Sequence, residues 1–153
     1  MIPTTVARVP EHIADDANEA IRRHTHENVA RAAAGGPEAI DRRLEELDRE
    51  WDIERLLEAN ASTLSLIGLG LGRFVDRRFY LLPAVVVGFL LQHAVQGWCP
   101  PMPVFRRLGV RTASEIEEER YALKALRGDF RGVSDGDGHD TARIDRAVRA
   151  VQL

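Results

Sequence analysis

The sequence is poor in cysteine and in lysine. Cys99 is the only cysteine, which excludes an internal disulfide and any metal site built from several cysteines. Lys124 is the only lysine among 21 basic residues, a bias towards arginine that is typical of bacterial genomes rich in G and C. The sequence also lacks a glycine-rich phosphate loop, a nucleophile elbow and a catalytic carboxylate pair. We therefore expect a non-enzymatic protein without cofactor or metal.

Charge is scarce in the middle of the chain. Residues 59–105 carry only four charged side chains and a net charge of +2, whereas residues 1–58 carry −6 and residues 106–153 carry +1. A soluble domain usually spreads charge along every surface helix, so this segregation indicates an apolar centre between two polar arms. Basic and acidic residues are interleaved in both arms and no aromatic-basic stripe accompanies them. We therefore expect no nucleic-acid partner.

Two uncharged runs in this centre predict a hairpin of transmembrane helices. The second run, residues 79–105, has 27 residues without Asp, Glu, Lys or Arg, and a helix over 80–98 would rise about 28 Å, close to a bilayer core of roughly 30 Å. The first run, residues 59–72, reaches only about 21 Å as a helix, so it needs flanking side chains that snorkel. The basic turn between the runs is short, which makes the helices antiparallel.

The N-terminal arm is predicted to be helical. Residues 1–36 are expected to form a polar helical arm that ends at the Gly35-Gly36 pair. Residues 37–58 are predicted as an amphipathic helix leading into the membrane, and no helix breaker stops it from continuing into the hairpin. Its apolar seam recurs at helical spacing: Ile40, Leu44, Leu47 and Trp51.

The remaining residues complete an all-α prediction. The transmembrane hairpin occupies residues 59–105, with helices over about 57–75 and 79–98. Residues 106–131 are expected to form a cytoplasmic helix, and residues 132–153 a linker followed by a short basic amphipathic helix. The fold class is therefore a membrane helical hairpin with amphipathic or polar helical arms on both sides.

Small residues at helical spacing mark candidate packing faces. Gly68 and Gly72 form a GxxxG pair in the first apolar helix, and Ala84 and Gly88 form a small-xxx-small pair in the second. Small residues let helix backbones approach closely in lipid, where helices have little hydrophobic reason to associate. The contact is either within the hairpin or between copies in a homo-oligomer, and the spacing leaves both open.

A second set of candidates lies at the end of the second apolar helix. Gln92, His93 and Gln96 form a candidate polar membrane site, because polar groups at membrane depth need partners. Interfacial solvation or an interhelical hydrogen bond is favoured over a site that His93 shares with Cys99. Cys99 is a candidate reactive thiol, although the end of a helix disfavours the thiolate and favours a structural role.

The sequence over residues 51–109 resembles the YgaP-like inner-membrane protein transmembrane-domain family, a domain of unknown function. The resemblance rests on a charged entry, a glycine-rich first helix, a short basic turn and a second apolar helix. The most specific element is the closure Gly97-Trp98-Cys99-Pro100, followed by Arg107-Leu108-Gly109. The resemblance implies a two-helix membrane hairpin, which some family members fuse to a cytoplasmic rhodanese domain. This chain has no rhodanese module and no second cysteine, so sulfur transfer is not carried over.

Three functions compete at this point. The favoured one is a small bacterial inner-membrane protein that anchors or oligomerises through its hairpin in the lipid bilayer, with the helical arms offered to a cytoplasmic protein partner. The second is a membrane component of sulfur or thiol-redox handling that uses Cys99, and the third a soluble helical oligomer with a buried hairpin. Nine basic residues near the membrane on the terminal side, against three in the turn, predict both termini in the cytoplasm.

Overall fold

The described part of the protein is entirely helical. The computed structural model describes residues 15–133 and 141–152, which contain helices and no strand. The α-helices are α1 (Asp15–Ala34), α2 (Pro37–Arg49), α3 (Ile53–Phe74), α4 (Leu81–Gln96), α5 (Met102–Arg107), α6 (Ala113–Arg127) and α7 (Thr141–Val151), with a 3₁₀ turn at Arg77–Tyr80. The all-α prediction is confirmed. The beginning of the predicted N-terminal arm and residues 134–140 of the predicted linker lie outside the described residues.

The chain divides into two compact units, and each is made from two separate segments. The first unit comprises residues 1–22 and 51–114, and the second comprises residues 23–50 and 115–153. The hairpin belongs to the first unit.

In the second unit, the amphipathic seam of α2 forms a core as the sequence predicts. Ile40, Leu44 and Leu47 are buried, and they cluster with side chains of α1 and α6. Next to this core, Arg43 of α2 donates from Nε to Glu119 of α6 at 2.7 Å, and the Glu119 side chain is fully buried. Burial alone would lower the pKa of Arg43, but its hydrogen bonds to carboxylates outweigh burial and raise that pKa.

The expected continuous helix from residue 37 to residue 58 is wrong. Helix α2 ends at Arg49, and α3 begins at Ile53 with Asp52 as its N-cap. The Asp52 carboxylate accepts a hydrogen bond from the Arg55 backbone N–H at 2.7 Å, which satisfies one of the open donors of the first turn. The break also leaves Trp51 outside the seam, with 47% of its surface exposed.

In the first unit, a small core closes the open end of the hairpin. Ile53 and Leu57 of α3 pack with Cys99 and Met102, and all four are buried. Met102 begins α5, a helix that the sequence did not predict, because the proline-rich stretch after α4 had indicated only a helix end. A proline is tolerated in the first turn of a helix, where its missing N–H is not needed, and Pro103 occupies that place in α5.

Candidate functional site

The hairpin of α3, the 3₁₀ turn and α4 is the part of the first unit that carries most of the sequence-predicted site residues. Helix α3 ends at Phe74, and Asp76 caps the 3₁₀ turn by accepting a hydrogen bond from the Arg78 backbone N–H at 2.8 Å. Helix α4 ends at Gly97, whose φ of 77° lies in the left-handed region that glycine adopts without steric cost. These two signals define a tight turn and a sharp end.

Glycine allows the two helices to touch near the turn. A Cβ added at Gly68 would lie 2.6 Å from Pro83 Cδ and 3.1 Å from Leu82 Cβ. A Cβ added at Gly72 would lie 2.7 Å from the ring of Tyr80. The distances of 2.6 Å and 2.7 Å are shorter than real side chains permit. The backbones can approach this closely because glycine has no side chain. The GxxxG pair of α3 thus lies at an intrachain contact.

The second small-residue pair has different surroundings. Ala84 and Gly88 are exposed on α4, and an added Cβ at Gly88 would meet no atom within 4 Å. They therefore do not take part in the contact within the hairpin, and a contact with another copy stays a prediction.

The outer surface of the hairpin is apolar and uncovered. Large apolar side chains are exposed along both helices: Leu64, Leu66, Ile67 and Leu69 on α3, and Leu81, Val85, Val87, Phe89, Leu91 and Val95 on α4. Among the described residues, one helical segment is long and apolar enough to cross a membrane, Arg77–Gln96, and only 6% of it is buried. Helix α3 has 22 residues, but its first two turns carry Glu54, Arg55 and Glu58.

A polar contact fastens the two helices at the opposite end of the hairpin from the turn. His93 Nε2 of α4 lies 2.7 Å from Glu54 Oε2 of α3, and His93 is only 3% exposed. The other ring nitrogen, Nδ1, is buried and has no hydrogen-bond partner among the described residues. Sequence reasoning singled out His93 but missed Glu54. The pairing depends on the register of the two helices, which no local sequence pattern contains.

The other members of the predicted polar site do not join this contact. Gln92 is half-buried and Gln96 is exposed. Across the described ranges, no group of three or more His, Cys, Asp or Glu side chains is arranged to hold a metal ion. The one buried member of the trio, His93, is part of a helix–helix contact, and a polar site that joins it to Gln92 and Gln96 stays a prediction.

Cys99 lines an apolar cleft beside this contact. The cleft, of about 130 Å³, lies between α3, α4 and the loop after α4, and its walls include Leu57, Leu64, Phe89 and Pro101. Cys99 is 6% exposed, and burial raises the pKa of its thiol above the ordinary value. A raised pKa keeps the thiol protonated at neutral pH, which disfavours nucleophilic or sulfur-accepting chemistry.

A reactive thiolate at Cys99 would need a nearby cation, and Arg106, which follows it in the sequence, is engaged with other groups. Arg106 of α5 is 1% exposed, and its guanidinium donates to Asn18 Oδ1 at 2.7 Å and to the Val110 carbonyl at 3.2 Å. Arg107 is exposed. The geometry therefore favours the structural interpretation of Cys99 as a member of the small core at the open end of the hairpin.

Comparison with known proteins adds no relative to these observations. No protein-family model, no curated protein and no solved structure matches this chain. The resemblance to the YgaP-like hairpin family accordingly stays a hypothesis that rests on the residues of 51–109 alone.

Proposed function

We propose that this chain is a small, non-enzymatic inner-membrane protein of a bacterium, and that its hairpin is inserted in the lipid bilayer as an anchor. The observation that carries the proposal is the continuous apolar outer surface of the hairpin. Monomeric soluble proteins rarely expose an apolar patch larger than a few hundred Å², and larger patches are typical of membrane or protein contact. The low burial of Arg77–Gln96 supports insertion over the core helix of a soluble monomer.

The uncharged parts of the two hairpin helices differ in length, and a bilayer accommodates both. The 20 residues of Arg77–Gln96 match the length that a transmembrane helix needs. The uncharged part of α3 is shorter, about 21 Å. Such a shortfall is accommodated by local thinning of the bilayer and by long side chains that snorkel, here the arginines at the turn. The charged first turns of α3 then lie at the membrane surface.

The orientation follows from the distribution of basic residues. Nine of them lie on the side of the termini near the membrane and three lie in the turn, so we propose that both termini are cytoplasmic. The helical arms are then available to a cytoplasmic protein partner. Fusions of a cytoplasm-active reporter and of a periplasm-active reporter to residue 153 test the orientation. Activity of the cytoplasmic reporter is expected, and activity of the periplasmic reporter would contradict it.

The exposed small-residue face of α4 supports assembly of the anchor into a homo-oligomer. Gly88 leaves open space for a neighbouring backbone, and Ala84 lies one helical turn away on the same face. Replacing Gly88 with Ile is expected to lower the oligomer mass measured in detergent without affecting the fold of the chain. An unchanged mass would remove this face from the assembly.

Fractionation tests the anchor itself. Membranes from cells that express the chain are washed with alkaline carbonate and then dissolved in a non-ionic detergent. An inserted hairpin keeps the protein in the carbonate pellet and releases it into detergent. Release by carbonate alone would contradict insertion and would support the soluble oligomer with a buried hairpin.

A further inference from the structure

The turn of the hairpin carries three guanidinium groups that no carboxylate neutralises. Arg73, Arg77 and Arg78, which we call the tip arginines, are all exposed, and none forms an ion pair with any described residue. The one acidic residue of the turn, Asp76, uses a carboxylate oxygen to cap the 3₁₀ turn. The turn therefore presents a net charge of +2 to its surroundings.

Three arginines of the second unit form ion pairs with carboxylates. In the second unit, Arg43 is paired with Glu119, Arg120 with Asp48, and Arg127 with Asp129. The turn differs because it holds three exposed guanidinium groups within six residues, beside exposed apolar side chains. This concentration of positive charge is accessible to an external anion.

Exposed apolar side chains surround the tip arginines. Phe74 is 82% exposed and Val75 69%, and Phe79 and Tyr80 are also exposed. This apolar collar is continuous along the chain with the uncovered outer surfaces of α3 and α4. A ligand that fits the turn must therefore offer an anion and an apolar environment side by side.

We propose that the turn of the hairpin binds the headgroups of anionic phospholipids, an inference that rests on the proposed insertion of the hairpin. A lipid phosphate accepts two parallel hydrogen bonds from a guanidinium, and the adjoining acyl chains cover the apolar collar. Aromatic side chains such as Tyr80 are favoured at the same depth. The turn selects anionic over zwitterionic lipid because its charge is net positive.

The preference is measured with the full chain in non-ionic detergent. The protein is equilibrated with equal mole fractions of phosphatidylglycerol and phosphatidylcholine, and the lipids that co-elute on gel filtration are quantified by mass spectrometry. The attraction of two net charges to an anionic lipid surface sets an upper limit of roughly thirtyfold on the preference for phosphatidylglycerol, and a preference clearly above unity is the expected result. Equal retention of the two lipids by the wild-type protein would overturn the proposal without any variant.

Variants locate the preference on the chain. Replacing all three tip arginines with Gln is expected to reduce the preference to near unity. The matched control replaces Arg23, Arg42 and Arg49 with Gln, since these arginines are also exposed but lie in the second unit. The control is expected to keep the preference, and an equal loss in both triple variants would overturn the assignment to the turn.

Carbonate washing of the same proteins distinguishes failure of headgroup selection from failure of the proposed membrane insertion. If the wild-type chain resists carbonate but retains both lipids equally, the turn does not select headgroups while the anchor stands. If carbonate releases the wild-type chain, both inferences fail. A loss of the preference is assigned to the turn only if the triple Gln variant still resists carbonate and keeps the helical content of the wild-type protein.

Discussion

Replacing Gly68 with Ala tests the close contact of α3 with α4 by the smallest available change. The added Cβ would lie 2.6 Å from Pro83 Cδ, whereas ordinary contacts begin at 3.4 Å, so the two helices must separate by roughly 0.8 Å. Pro83 cannot turn aside, since its Cδ belongs to a ring closed on the backbone. Leu82 Cβ, at 3.1 Å from the added atom, is equally fixed to the backbone.

The same substitution at Gly70 provides the control. Gly70 lies two residues away in the same helix, and its added Cβ meets no atom within 4 Å. Both substitutions gain the same helix propensity, about 1 kcal/mol for Gly to Ala. The difference between the two variants therefore isolates the cost of overpacking, which is typically about 1–3 kcal/mol.

The assay is reversible unfolding of the purified chain in mixed micelles with an increasing mole fraction of a denaturing detergent, followed by circular dichroism. The Gly68→Ala variant is expected to have a free energy of unfolding about 1–3 kcal/mol below that of Gly70→Ala. Gly72→Ala should fall between them, because the half-exposed ring of Tyr80 can rotate away. Equal free energies for Gly68→Ala and Gly70→Ala would refute the helix contact and place this face of α3 towards lipid.

Three further predictions concern the polar groups. Replacing His93 with Ala should lower the free energy of unfolding by about 1–3 kcal/mol, since the contact of the buried imidazole with Glu54 is lost, whereas Gln96→Ala should be neutral; equal effects would contradict the contact. Replacing Arg43 with Met removes one partner of the fully buried Glu119 carboxylate and should cost about 1–3 kcal/mol, whereas the exposed Arg42→Met should cost under about 0.5 kcal/mol; a neutral Arg43→Met would refute the pairing. Alkylation of Cys99 should show a pH midpoint above the ordinary thiol value of about 8.5. Stability should then fall as pH rises past that value, because the unfolded chain releases the thiol proton first; a midpoint below about 7 would revive the thiol-relay hypothesis.

Local patterns predicted most of the helices. The spacing of Ile40, Leu44 and Leu47 identified the buried face of α2, and the absence of charge identified the hairpin segments. Gly97 and the prolines after it marked the end of α4. Each of these signals depends only on residues that are close together in the chain, so it can be recognised from the sequence alone.

Long-range contacts explain what local patterns could not predict. Residues 38–65 contain no helix breaker, yet α2 and α3 are separate because Asp52 caps a new helix. Ile53 follows Asp52, and its backbone N–H donates to the Arg111 carbonyl at 2.8 Å. That partner is distant in sequence, so no local pattern reveals it. The division into two units has the same origin, since each unit joins segments from both halves of the chain.

The candidate site was only partly predicted, because its contacts are also long-range. Gly68, Gly72 and His93 were recognisable by residue type and spacing. The partners that give them a role, Pro83 and Glu54, depend on the register of the hairpin. That register is fixed by the turn and by the end of α4, and it requires the three-dimensional fold.

A spin label at the outer surface of the hairpin tests insertion into lipid most directly. The label is attached to Val87→Cys in a Cys99→Ser background, and the protein is reconstituted in vesicles. Val87 is 57% exposed on α4, and the control position Leu126, 53% exposed in the second unit, is labelled in the same way. Membrane insertion predicts that the label at 87 relaxes with oxygen, which dissolves in lipid, and not with a water-soluble nickel complex. The label at 126 is expected to relax with the nickel complex. Relaxation of the label at 87 by the nickel complex would place this face in water and contradict membrane insertion.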